Sequence, residues 1–372
     1  MSRRPVVHQF IPSLAKRDAV GFHTFALDEL LRELGADSTI YTAHINSETK
    51  DLARHYRSHV RDPNPDLIVY QASIGSPMAD YVLGRPEPLM LNYHNMTPPE
   101  FCYGWDATLG AELDLGRRQL ARLCRRAFIA VADSDYNARD LTELKLKRVE
   151  VIPVLTDDAL FPVDEPPTPG SALDGSALDG SALDGSALTV LFVGRLAPNK
   201  CQHDLLAAMA VVRQRIPGAE LVLVGSSSSD RYEQSLREFA AELGIADAVR
   251  FEGSVSVSDL GSWYRRADVF VCLSEHEGFC VPILEAMAWG VPVVAFDAAA
   301  VPDTVADAGV ILDDKSPAVV ASAIERVVGD ESVRRNLVEL GSARAKELRT
   351  SVVRPRLRDF FVELLKSGEL RR

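Results

Sequence analysis

Twelve short apolar runs punctuate this chain, and most are separated by stretches with helical periodicity. PVVHQFI, STIYTAH, DLIVYQAS, PLMLNYHN, AFIAVADS and VEVIPVL come first. TVLFVGR, AELVLVGS, AVRFEGS, ADVFVCLS, VPVVAFD and AGVILDD follow. Such runs read as strands, and segments such as AVGFHTFALDELLRELG as the helices between them. Strands that alternate with helices build a parallel sheet, because each return crossover needs a helix's length of chain. The fold class expected is α/β, with two doubly wound Rossmann-like domains facing across a cleft, where open parallel sheets place their ligands. The length of 372 residues suits two domains better than one core.

The alternation breaks once, at FPVDEPPTPGSALDGSALDGSALDGSALTV. Its five-residue period is far shorter than any solenoid repeat, and glycine in every copy suits neither helix nor strand. Residues 162–188 therefore read as an interdomain linker between a first domain, 1–161, and a second, 189–350. Residues 351–372 read as a C-terminal helix that packs back on the first domain.

The formal charge of −12 excludes a general nucleic-acid binder, whose phosphate contacts need a basic surface. Residues 1–160 are nearly neutral, with 19 Lys and Arg against 22 Asp and Glu. The five cysteines form no C-x-x-C pair and read as thiols of a reducing compartment. The opening MSRRPVVHQFIPSLAKRDAV lacks the uninterrupted apolar run of a signal peptide, and no later stretch is long enough to span a membrane. The expectation is a cytoplasmic protein, in contact at most with the inner face of the membrane.

Two stretches carry chemistry. In SEHEGFCVPILEAMAWG, Pro282 suits the first turn of a helix, so Glu277 falls in the preceding loop and Glu285 in the first turn. Carboxylates placed there accept hydrogen bonds from paired hydroxyls, which sugars and riboses offer. Taken singly, Glu285 could merely compensate a helix dipole and Glu277 be a solvated loop residue. In VGRLAPNKCQHDLLAAM, Arg195 follows a strand end and Lys200 precedes a helix N-terminus, where its charge is unfavourable unless an anion lies between. A diphosphate would fill that place; two exposed basic turn residues are the plainer reading.

Gly21, at the start of the helix FHTFALDELLREL, and His94, at the end of a strand, are weaker candidates, since a turn glycine and a structural histidine explain them equally well. DSD at 133–135 has the form of a metal-binding D-x-D, but its position before YNARDLTEL makes Asp133 or Ser134 a helix cap instead. No metal site is expected.

Together, EGFCVPILE, GRLAPNK and the repeated alternation resemble the retaining glycosyltransferases of family 4, glycosyl transferases group 1, with the GT-B fold. The resemblance covers both domains and is most specific over residues 189–315. It implies that Glu277 contacts hydroxyls of the donor sugar, Glu285 the ribose, and Arg195 with Lys200 the diphosphate. It likewise implies that Gly21 lies at the donor phosphates, His94 near the transferred sugar, and the backbone of Gly278, Phe279 and Cys280 at sugar and phosphate. Cys280 departs from a pattern that often has glycine there. No cofactor is implied. The donor would be a UDP-, GDP- or ADP-sugar, and the acceptor a sugar, a glycolipid or another small molecule. The basic helix face of Arg118, Arg122 and Arg125 is available to an anionic lipid surface, although a solvated face explains it too. Two rival readings remain, a nucleotide-sugar epimerase of the same fold and a non-catalytic nucleotide-sugar-binding protein.

Overall fold

The computed structural model describes residues 3–16, 18–62, 64–162, 188–367 and 370. The linker expected over 162–188 thus lies, but for its two end residues, outside the described residues. The chain divides into two compact units, one of Met1–Tyr103, Ala107–Asp157 and Arg349–Arg372, the other of Gly104–Asp106 and Asp158–Leu348.

The first unit holds seven strands: β1 (Val6–Ile11), β2 (Asp37–Thr42), β3 (Arg54–His55), β4 (Leu67–Ala72), β5 (Leu89–Tyr93), β6 (Ile129–Ala132) and β7 (Val149–Val151). They lie in the order β3-β2-β1-β4-β5-β6-β7, and every pairing is parallel. Six of the seven were anticipated. The seventh, β3, is two polar residues and carries no apolar run to betray it. All six residues of β4 are buried, as a central strand covered on both faces requires. On one face, Val7, Leu67 and Val69 share a core with Leu27, Leu30 and Leu31 of the helix Ala19–Glu33. The helix Thr350–Lys366 adds Val353, Leu357, Phe361 and Leu364 to that core, at the spacing of a single helix face. Thr350 ties its start to the sheet, accepting from Thr156 N–H at 2.9 Å and donating to Thr156 C=O at 2.6 Å.

The second unit holds β8 (Thr189–Val193), β9 (Glu220–Val224), β10 (Val249–Gly253), β11 (Val269–Cys272), β12 (Val293–Phe296) and β13 (Val310–Leu312). Their order is β10-β9-β8-β11-β12-β13, again parallel throughout. Beyond β9, Gly225 passes so close to the chain leaving β8 that a Cβ would lie 2.1 Å from the Gly194 carbonyl oxygen. Only glycine permits that approach.

Within the first unit, His8 on β1 is buried against His59 (Nδ1···Nε2 2.8 Å), and His59 Nδ1 is 2.8 Å from the Tyr81 hydroxyl. If Tyr81 donates to His59 and His59 to His8, both of these hydrogen bonds are made with both rings neutral; a proton added at His8 Nδ1 would face another donor. Burial and the neighbouring His59 lower the His8 pKa from 6.5 to about 4, with Arg54 lowering it further and Asp62 and Glu87 opposing. Burial lowers His59 as well. A depressed folded-state pKa makes the unfolded chain the stronger proton binder, so this contribution is complete above pH 6.5 and is lost as pH falls towards about 4. Urea unfolding followed across that window should show stability declining by up to about 3 kcal/mol from His8. His8→Gln, which cannot take the proton, should flatten the slope.

Candidate functional site

In the second unit the strand order reverses between β8 and β11, the place where crossovers leave to opposite sides and an open parallel sheet receives its ligands. The loops that follow these two strands carry the candidate residues, and they are bound to each other. Glu275 N–H donates to Asn199 C=O at 2.9 Å, and Asn199 Nδ2 donates to His276 C=O at 3.0 Å. Lys200 Nζ donates to both Glu277 carboxylate oxygens at 2.5 Å. Lys200 and Glu277, read separately in the sequence, are thus one buried ion pair. Burial alone would lower the Lys200 pKa; the Glu277 carboxylate and the nearby thiols more than offset it and raise the net value.

Each loop ends in a cysteine with left-handed backbone that opens a helix. Cys201 (φ 53°) precedes Gln202–Arg215, and Cys280 (φ 68°) precedes Val281–Ala288. Arg195 is exposed just after β8, and its guanidinium has no partner among the described residues. Phe279 is buried, with its carbonyl accepting from the Thr304 hydroxyl, and the Glu277 carbonyl accepts from Ala300 N–H at 3.2 Å. Gly278 lies between them, so the backbone of this loop is braced by the residues around the short helix Val301–Val305.

Glu285 differs from the sequence reading. The helix starts at Val281, with Pro282 in its first turn as expected, but that turn holds no acidic residue. Glu285 lies just past that turn. There it is buried, and the Tyr264 hydroxyl donates to its Oε2 at 2.6 Å. Burial and the Glu285 charge raise the Tyr264 pKa well above 10, so Tyr264 remains the donor.

In the first unit, Gly21 occupies the first turn of Ala19–Glu33, and its N–H donates to the Asp18 side chain at 2.6 Å. A Cβ there would stand 1.7 Å from the Ala15 carbonyl oxygen, so close backbone packing already demands glycine. His94 follows β5, with its side chain only 1% exposed. Its Nδ1 is 2.8 Å from Asp133 Oδ2 and its Nε2 2.7 Å from Gln71 Oε1. Gln71 Nε2 donates to Gln9 Oε1, and Gln9 Nε2 to the Thr24 carbonyl, which can only accept. That anchor sets the direction of the amide chain, and His94 is held from both sides, by Gln71 and by Asp133. His23, whose ring centroid is 5.3 Å from that of His94, is held neutral by burial and by His94.

Of the two cap candidates in D-x-D, Ser134 is the cap and Asp133 has another partner. Ser134 caps the helix Asp135–Glu143 through Asn137 N–H, and Asp133 binds His94. Gln71, Gln9 and Tyr264 were not singled out in the sequence, and Asp133 was read there only as a metal ligand or a helix cap, not as the partner of His94. Asp133 had a usable signal, since β5 pairs Tyr93 with Ala132 of β6 and the next residues on each strand are His94 and Asp133. The structure also gathers two sets of possible metal ligands that sequence spacing hid: Cys272 with Glu277 and Cys280, and Cys201 with His203 and Asp204. Of the basic helix face, Arg118 pairs with Asp114, Arg122 pairs with Asp80 at 2.5 Å, and Arg125 is exposed. Among the described residues, no helix is long and apolar enough to cross a membrane.

Residues 179–344 match the family "Glycosyl transferases group 1". The second unit carries a glycosyl transferases group 1 domain. The GDP-mannose-dependent alpha-(1-6)-phosphatidylinositol monomannoside mannosyltransferase of Mycobacterium tuberculosis is 36% identical over 164 residues, 42% of this chain and 41% of that protein. The D-inositol 3-phosphate glycosyltransferase of Frankia alni is 32% identical over 62% of this chain and 57% of its own. The chain therefore spans less than two thirds of these relatives' length. Among solved structures, the sucrose-phosphate synthase of Thermosynechococcus elongatus superposes with a TM-score of 0.75 at 20% identity, over 98% of this chain and 100% of that one. HepE of Anabaena, in complex with UDP and glucose, gives 0.74 at 17% identity over 97% and 100%. These likenesses are of fold, and the fold is the GT-B class that the resemblance implied.

In the glycosyl transferases group 1 domain, Tyr264→Phe removes a hydrogen bond to a buried carboxylate. It should destabilise the protein by about 1.5–3 kcal/mol, read as a lower unfolding midpoint in urea.

Proposed function

We propose that this chain transfers a hexose from a nucleoside-diphosphate sugar to an acceptor hydroxyl with retention of configuration, and that no metal ion is required at the diphosphate. The observation that carries this reading is the Lys200–Glu277 pair at the strand-order reversal of a glycosyl transferases group 1 domain, with Arg195 exposed on the same loop and Glu285 buried in the helix beyond. Breaking a sugar–diphosphate bond builds negative charge on the leaving group and positive charge on the anomeric carbon. Lys200 and Arg195 stabilise the first, preorganised where the charge grows. Glu277, once it shares Lys200 with the diphosphate, accepts from hydroxyls of the sugar, and Glu285 accepts from those of the ribose.

The phosphate oxygen of the departing diphosphate is the proposed base for the acceptor proton, on the face from which the leaving group departs. Gly278, Phe279 and Cys280 supply backbone to sugar and phosphate in this reading. Gly21 and His94 belong to the other unit and enter it through the family resemblance. The names of similar proteins support a nucleotide donor, GDP-mannose for the mycobacterial relative and UDP in the HepE complex. A sugar, a glycolipid or another small molecule is the acceptor class, and an acceptor in a membrane would meet Arg118, Arg122 and Arg125 only in competition with Asp114 and Asp80. Cytoplasmic placement is part of the same proposal.

Two measurements test it. Glu285→Gln should weaken nucleoside diphosphate and donor alike, whereas Glu277→Gln should spare the nucleotide and lower turnover. Each effect should be about tenfold or more, the worth of a hydrogen bond to a charged group, read by titration calorimetry and initial rates. Equal loss of nucleotide in both variants overturns the division of labour. Separately, a screen of UDP-, GDP- and ADP-sugars that follows nucleoside diphosphate release should keep its rate in excess chelator. Epimerised donor without release would instead mark an epimerase, and binding without turnover a non-catalytic protein.

A further inference from the structure

The loop from β11 to the helix Val281–Ala288 brings two thiols and a carboxylate together. Cys272 and Cys280 have their sulfurs 3.8 Å apart, and ligand atoms of Cys272, Cys280 and Glu277 all lie within 4.8 Å of one another. All three residues are buried. Two thiolates bound at about 2.3 Å to one tetrahedral ion are themselves about 3.8 Å apart, so the sulfurs already stand at the separation that such an ion imposes. We propose that Cys272, Cys280 and Glu277 bind one thiophilic divalent cation of the Zn²⁺ or Cd²⁺ class, leaving its fourth position to water or another ligand.

Charge supports the assignment. Two thiolates, one carboxylate and a dication sum to a single negative charge, and the Lys200 ammonium beside them cancels it. Lys200 is bonded to the Glu277 carboxylate of the cluster, so the residue that looks like a competitor is the site's counterion. Binding exchanges one dication for two thiol protons, and the buried cluster is neutral before and after. The other cysteine-containing cluster is less suited. It offers a single sulfur, and His203 Nδ1 is engaged by Tyr232 at 3.0 Å.

The cation claims the same carboxylate as the donor sugar, but its binding can be read with no donor present. The test uses the reduced full chain, titrated anaerobically with Cd²⁺ while the thiolate-to-metal charge-transfer absorption is followed. One equivalent should saturate the band. Cys272→Ala and Cys280→Gly should each weaken binding at least about tenfold, no less than the loss of a partner that merely orients a ligand. Cys201→Ala should leave it unchanged. A band that survives in the Cys272→Ala, Cys280→Gly double variant overturns the site. X-ray absorption of the unaltered chain with one equivalent of Zn²⁺ needs no variant to fold: two sulfur neighbours are expected, and a shell of nitrogen and oxygen alone refutes the proposal.

Discussion

The second unit depends on one buried ion pair. Lys200 and Glu277 come from loops that follow adjacent strands, and their contact closes the space where the two crossovers part. Burying two charges costs several kcal/mol each before their attraction is counted, and removing one partner typically destabilises by about 3–5 kcal/mol because the other is left unpaired. The pair is therefore worth its place only if both loops are held to it. Asn199 does this from both sides, accepting from Glu275 and donating to the His276 carbonyl. The pair also answers the helix-dipole conflict raised by a lysine just before Gln202–Arg215. The missing negative charge comes from the protein itself, and Lys200 is neutralised before any anion arrives.

Much of the fold was legible because parallel α/β sheets write themselves locally. Each buried strand is an unbroken apolar run, and each crossover is an amphipathic helix, so twelve strands could be placed without knowing their neighbours. β3 escaped because Arg54 and His55 pair at a sheet edge and bury little. At the site, the residue types were legible and their partners were not. Lys200 and Glu277 are 77 positions apart, and nothing in either stretch says that β8 and β11 are neighbours. Tyr264 and Glu285 were hidden in the same way, since the contact joins two helices across the packed core. Glu285 was expected in the first turn and lies just past it. A non-glycine residue at φ 68° is uncommon, and a sequence gives no reason to expect Cys280 to adopt it.

The first unit solves a different problem, how to keep polar groups inside a parallel sheet. Gln9, Gln71, His94 and Asp133 form a chain of hydrogen bonds from the Thr24 carbonyl to a carboxylate. Such a network is stable when complete and costly when broken, so its members depend on one another more than on any local propensity. This accounts for a limit of reading His94 alone: by itself it was a lone histidine at a strand end, and its character comes from three residues on β1, β4 and the end of β6.

Cysteine at two left-handed helix entries completes the picture. Both Cys201 and Cys280 begin helices without a side-chain cap, and both stand where glycine would be the relaxed choice. A Cβ at such a position costs on the order of 1 kcal/mol, and neither thiol returns that as a helix cap. Each instead spends its sulfur on a neighbour: Cys201 lies against Lys315, and Cys280 against Cys272. Glycine at 280 would keep the turn and lose the sulfur contact, so the departure from glycine leaves the path of the loop intact and changes only what lines it. The chemistry that distinguishes this site from one with glycine must therefore come from the thiol, its partner Cys272 and the carboxylate they surround.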